Sequence, residues 1–137
     1  MQAVPPLIAV VDDEEPVRTG LSRLLRSRGL RVIAFGSAEE FLRGLNHQEA
    51  DCALLDLQMP GVTGMEVLDR LRVRGSRVRV VVMTAHDEPG LKESCISKGA
   101  VGYLLKPMDS HTLMEALAAA LGSGEFAKPD GRSDDGA

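Results

Sequence analysis

Five largely apolar runs punctuate the chain: LIAVV at 7–11, LRVIAF at 30–35, CALLDL at 52–57, VRVVVM at 78–83 and VGYLL at 101–105. Most are continuous rather than alternating, the pattern of central strands in a parallel sheet covered on both faces. Between them the apolar residues change to helical spacing. Val17, Leu21, Leu24 and Leu25 fall at i, i+4, i+7 and i+8. Met65, Leu68 and Leu71 follow i, i+3, i+6, and Leu113, Met114, Leu117, Ala120 and Leu121 make a further stripe.

The helix starts are marked by their polar residues. Ser37–Glu40 and Thr63–Glu66 both fit the capping box S/T-x-x-E, and Asp109 is placed to cap the last helix. Gly29, Gly75 and Gly99 stand where the first, third and fourth helices should stop. The result is a β-α alternation repeated five times, which predicts an open, doubly wound α/β domain. Residues 122–137, GSGEFAKPDGRSDDGA, lose all periodicity and are dominated by Gly, Ser, Asp and Pro. We expect one domain over residues 1–121, followed by a flexible tail or the beginning of a linker.

Composition narrows the picture without changing it. A chain of 137 residues, 44% hydrophobic and 26% charged, fits one globular domain. Phe35, Phe41, Tyr103 and Phe126 are its only aromatics, so the core is aliphatic. A net charge of -4 argues against a domain built to grip nucleic acid or an anionic membrane. Cys52 and Cys95 read as small buried hydrophobes in a reducing compartment. No run approaches the length of a membrane span and the amino terminus lacks a signal-peptide pattern, so a cytoplasmic location is expected.

Candidate chemistry lies where the strands end, because ligands of open α/β sheets bind beyond the carboxyl ends of the strands. The first run meets Asp12-Asp13, the third carries Asp56, the fourth closes in Met83-Thr84-Ala85, and the fifth in Lys106-Pro107. Parallel strands would bring three carboxylates, a hydroxyl and an ammonium to one edge. Three carboxylates alone repel one another and favour protonation of at least one. A divalent cation removes the conflict, and oxygen ligands with room for water suit Mg²⁺, with Mn²⁺ as the alternative of similar preference. Three negative charges are then balanced by the metal and Lys106. Such a site suits a phosphoryl group, with an aspartate as the nucleophile that carries it.

Each residue also has a plainer explanation. Asp13 or Glu14 would serve as the cap of the first helix at about even odds. Thr84 alone is one more β-branched strand residue, and Lys106 alone a solvated charge. Asp56 is harder to dismiss, since it interrupts an apolar run and a core aspartate is costly without partners. The four together at strand ends outweigh the plain readings taken singly.

The motifs DD at 12–13, LLDLQMPGVTGMEVL at 54–68, MTA at 83–85 and KGAVGYLLKP at 98–107 resemble the CheY-like receiver domain of bacterial response regulators. The resemblance covers roughly residues 5–121, and the DLQMPG and MTAH forms look closest to receivers of FixJ- and LuxR-type transcription regulators. It implies a flavodoxin-like fold with strand order 2-1-3-4-5. It implies that Asp56 accepts a phosphoryl group from a sensor histidine kinase, with Asp13, Asp56 and the Gln58 backbone carbonyl binding Mg²⁺ directly and Asp12 through water. Lys106 would pair with the phosphoryl group, Thr84 would hydrogen-bond it, and Tyr103 would turn inward as the switch. A cis Lys106–Pro107 bond would place the ammonium, and the small Ala85 would leave space for the group to enter. Phosphorylation would favour dimerisation through the face of the fourth helix, fifth strand and fifth helix. Activity would be confined to the chain's own phosphorylation and dephosphorylation, with transcription controlled through an output domain beyond these residues. One departure is Met108, where many relatives carry Phe.

The fourth helix, around EPGLKESCISKG at 88–99, offers only Leu91, Cys95 and Ile96 for packing and is expected to be the least firmly anchored. Three rivals fit less well. A haloacid-dehalogenase-type phosphohydrolase needs D-x-D after the first strand and a cap domain. A flavin or nucleotide module needs a Gly- or Ser/Thr-rich phosphate cradle there, and DDEEP is the opposite. A degenerate receiver acting only as a binding module would not need an intact acceptor set.

Overall fold

A computed structural model of the chain describes residues 4–122. The tail expected over 122–137 lies, apart from Gly122, outside the described residues. Strands and helices alternate in the predicted order. β1 (Leu7–Val11) leads to α1 (Glu15–Ser27), and β2 (Arg31–Phe35) to α2 (Ala38–Gly44). β3 (Cys52–Asp56) precedes α3 (Gly64–Val73), β4 (Arg79–Thr84) precedes α4 (Leu91–Ser97), and β5 (Gly102–Leu105) precedes α5 (Ser110–Leu121). The five strands form one parallel sheet in the order β2-β1-β3-β4-β5, as the resemblance implied.

The continuous apolar runs are explained by a two-sided core. Successive side chains of a strand point to opposite faces. Ile8, Val10, Leu54, Val81 and Met83 therefore pack with Leu25 of α1 and with Leu113 and Leu117 of α5. Ala9, Val11, Ala53, Leu55, Val80 and Val82 pack on the other side with Phe41 of α2 and Val67, Leu68 and Leu71 of α3. Each fully buried Leu or Val contributes about 1.5–3 kcal/mol, so the three central strands hold the scaffold rigid. Met108, the departure from the family pattern, packs against the α1/α5 side of the core. Cys52 and Cys95 are free and buried, and burial pushes the Cys52 thiol up to about 12, so it behaves as a hydrophobe.

Helix ends follow the polar signals with one correction. At α3 the box is complete: Thr63 Oγ1 accepts from the Glu66 N–H at 3.2 Å, and Glu66 Oε1 accepts from the Thr63 N–H at 2.9 Å. At α2 only half of the expected box forms. Ser37 Oγ accepts from the Glu40 N–H, but the Glu40 carboxylate accepts from Gly36 rather than from Ser37. Asp109 caps α5, its carboxylate accepting from the Thr112 N–H at 2.7 Å. Among the described residues no helix is long and apolar enough to cross a membrane.

Candidate functional site

The carboxyl edge of the sheet gathers the predicted residues. Asp56 is the last residue of β3 and Thr84 the last of β4; Asp12 and Lys106 follow β1 and β5 directly. The parallel registers of β1 on β3 and of β3 on β4 bring Asp12 level with Asp56 and put Thr84 one residue beyond it. Asp12, Asp56 and Thr84 are buried, whereas Asp13 is exposed at the rim. Carboxylate oxygens of Asp12, Asp13 and Asp56 lie within 4.8 Å of one another.

The acids are held in place by the backbone. Asp12 donates its N–H to the Phe35 carbonyl at 3.1 Å, and its Oδ1 accepts from the Glu14 N–H at 2.9 Å. The N-cap of α1 is Glu14, which makes no side-chain capping bond, so helix capping does not account for the acidic run. Asp56 Oδ1 accepts from the Gln58 N–H at 3.1 Å. Behind this loop sits Gly64: a Cβ there would lie 2.9 Å from Leu57 Cα and 3.1 Å from the Asp56 carbonyl oxygen. Only glycine lets α3 begin so close beneath Asp56.

The Lys106 ammonium crosses the edge to the acids. Its Nζ lies 2.7 Å from Asp12 Oδ2 and 3.4 Å from Asp56 Oδ2. The Lys106–Pro107 bond is cis. Burial pushes the Asp56 carboxyl above its ordinary range, the Gln58 N–H opposes that rise, the neighbouring Asp12 adds to it, and Lys106 opposes it. For Lys106, burial disfavours the charged form, but the hydrogen bond it donates to Asp12 and the charges of Asp56 and Asp12 outweigh that and raise its pKa. One ammonium thus serves two buried carboxylates, leaving the third acid without a cation of its own. That surplus, on hard oxygen donors beside a cleft of about 230 Å³, fits a divalent cation.

On the far side of the cleft, Thr84 Oγ1 donates to Gln58 Oε1 at 2.9 Å and accepts from the His86 N–H at 3.1 Å. Tyr103, half-buried on β5, donates its hydroxyl to Asp87 Oδ1 at 2.6 Å. Burial, the Asp87 hydrogen bond and its charge all raise the Tyr103 pKa. Ala85 is exposed at the cleft mouth.

Every candidate site residue named from the sequence falls at or next to this edge. Three contacts had no sequence signal. Arg18 Nη1 donates to the Asp12 carbonyl at 2.7 Å, Asp87 accepts from Tyr103, and the Gln58 side chain reaches Thr84, although only its backbone carbonyl was singled out. Each joins residues on different elements that no helical or strand period relates.

A five-stranded parallel α/β domain with a triad of acids and one lysine at its carboxyl edge defines a class of phosphoryl-accepting domains, and comparison with known proteins specifies which. The response regulator receiver domain family matches residues 8–118. The transcriptional regulatory protein FixJ of Azorhizobium caulinodans is 37% identical over 115 residues, covering 84% of this chain and 54% of that protein. The response regulator protein TodT of Pseudomonas putida is 34% identical over 115 residues, covering 84% of this chain and 51% of its own length. Among solved structures, the signal receiver domain of the response regulator NarL from Mycobacterium tuberculosis superposes with a TM-score of 0.82 at 29% identity, covering 88% of this chain and 98% of that one. The chain belongs to the response regulator receiver domain family, the phosphorylation-activated switches of two-component systems. It spans about half the length of the curated relatives it matches.

Proposed function

We propose that Asp56 is the phosphoacceptor of a sensor histidine kinase in the cytoplasm, and that the resulting switch controls an effector in transcription. The observation that carries this reading is the set of acids within 4.8 Å of one another, with the Lys106 ammonium 3.4 Å from Asp56. In the transfer, an Asp56 carboxylate oxygen attacks phosphorus. The bond from phosphorus to the kinase histidine nitrogen breaks, and that nitrogen leaves with the electron pair and takes up a proton. A lone pair on an ionised Asp56 is required, and Lys106 favours that form by its charge.

Asp13, Asp56 and the Gln58 backbone carbonyl would hold Mg²⁺, or Mn²⁺ on the same oxygens, with Asp12 acting through water. Bound there, the ion would neutralise charge on the phosphoryl oxygens. Lys106 is the second cation for those oxygens, and its reach across Asp12 and Asp56 already aims it at the acceptor. Ala85 leaves room for the group. Thr84 turns its hydroxyl to a phosphoryl oxygen, and Tyr103 follows inward. The output surface is the α4-β5-α5 face, where Ile96, Val101 and Leu105 are each about half exposed, at 49%, 49% and 48%. That apolar strip supports dimerisation on phosphorylation. The chain modifies only itself, and its described residues up to Leu121 form the receiver.

The test is incubation with acetyl phosphate and Mg²⁺, followed by intact mass. We expect a gain of one phosphoryl group that is absent in Asp56→Asn. A gain that survives the substitution would remove Asp56 from the acceptor role.

A further inference from the structure

Gln58 touches both halves of the site. Its N–H donates to Asp56 Oδ1 at 3.1 Å, while its side-chain oxygen accepts from Thr84 Oγ1 at 2.9 Å. The Ala85 N–H points at the same oxygen from 3.4 Å. Two donors converging on one atom identify it as the carboxamide oxygen rather than its nitrogen. The side chain thereby spans the cleft from the β3–α3 loop to the β4–α4 loop.

A hydroxyl carries one proton and donates one strong hydrogen bond at a time. The Thr84 proton is directed at Gln58, with the His86 carbonyl as a second acceptor at 3.2 Å. While Gln58 holds it, that proton is not available to a phosphoryl oxygen on Asp56. Gln58 itself is exposed, so no packing fixes its rotamer; the bonds to Thr84 and Ala85 do. The same loop is tied on its other side, where Asp87 accepts from Tyr103 at 2.6 Å.

Resting on the reading of Asp56 as acceptor, we infer that the Gln58 carboxamide is a positioning residue: it latches the Thr84 hydroxyl in the resting state and must be displaced for the phosphorylated state to form. A contact made in only one of two states biases the equilibrium toward that state by its own free energy. Removing it favours the other state. Gln58 acts through Thr84, without itself entering the transfer.

The test uses the full chain, with the beryllium trifluoride anion and Mg²⁺ as a stable mimic of the phosphoryl group. The chain has one tyrosine and no tryptophan, so tyrosine emission reports Tyr103 alone. Gln58→Met keeps side-chain length and the backbone carbonyl but removes the acceptor. We expect it to bind the anion about 2- to 10-fold more tightly, the range of one neutral hydrogen bond. In a Thr84→Ala background the same substitution should give no gain, because the latch has nothing to hold. Gln58→Ala, which removes the whole side chain beyond Cβ, should repeat both results. Unchanged or weaker binding by Gln58→Met, or a gain that persists without the Thr84 hydroxyl, overturns the latch. Failure of the unsubstituted chain to bind the anion overturns the acceptor reading itself, and the latch with it.

Discussion

The Lys106 ammonium lies 2.7 Å from Asp12 Oδ2 across 94 residues of sequence, and it is the closest ion pair of the acidic edge. Asp12 is fully buried and the lysine side chain 15% exposed, so water screens this pair little. Removing one partner of a buried pair leaves an uncompensated charge, which costs far more than the pair contributes. Lys106→Met should therefore destabilise the metal-free domain by about 3 kcal/mol in denaturant unfolding. Saturating Mg²⁺ should recover part of the loss, because the ion supplies positive charge to the same acids. A variant as stable as the parent without metal would show that Asp12 and Asp56 do not depend on Lys106.

Asp56 has the opposite character. Burial holds its carboxyl above the ordinary range, so the folded state binds the proton more tightly than the unfolded chain. The stability this brings is fully present below the unfolded-state pKa and is lost as pH rises through the folded-state value. At neutral pH without metal, Asp56→Asn should consequently raise Tm, and the difference should close as pH falls below the ordinary aspartate range. The substitution should also diminish the stabilisation expected from Mg²⁺ in the parent, about 2.7 kcal/mol at a hundredfold excess over Kd. Calorimetry across pH, with and without the ion, measures both effects.

The complete capping box at Thr63 anchors the helix that starts beneath the Asp56 loop. Thr63→Ala removes the side-chain acceptor for the Glu66 N–H and should cost about 1 kcal/mol. Ser37→Ala at the half-formed box removes a comparable bond without the reciprocal one. The smaller of the two losses is expected at Ser37, as read from urea midpoints.

The cap of α5 titrates. Hydrogen bonding from the Thr112 backbone and side chain holds the Asp109 carboxyl below its usual range; desolvation opposes it, and the charge of His111 adds to it. An acid with a depressed folded-state pKa contributes stability above its unfolded value and loses it as pH falls through the folded one. Asp109→Asn keeps a neutral cap and should flatten this acid-side loss. An unchanged acid limb in the unfolding midpoint would contradict it.

Helix α4 is seven residues long, buries only Cys95 and begins at Gly90 without a side-chain cap. Helix α5 buries Leu113, Met114, Leu117 and Ala120. Amide exchange should be faster along α4 than along α5, because local opening of α4 exposes little apolar surface. Equal protection of the two helices would show that α4 is anchored by more than its core contacts.

Element order, the two-sided sheet and the identity of the edge residues were legible along the chain. Those features rest on local rules: strand periodicity, helical spacing, capping chemistry, and the cost of an aspartate inside an apolar run. The expected strand runs overshot by one apolar residue at ends such as Leu30 and Leu57, and the fourth stopped one residue short of Thr84. Which polar groups meet across the edge is fixed only in the folded sheet. Lys106 on Asp12, Arg18 on the Asp12 carbonyl, Gln58 on Thr84 and Tyr103 on Asp87 join separate elements. These partners are chosen by the distance between loop ends across the finished sheet, and no period along the chain encodes that distance.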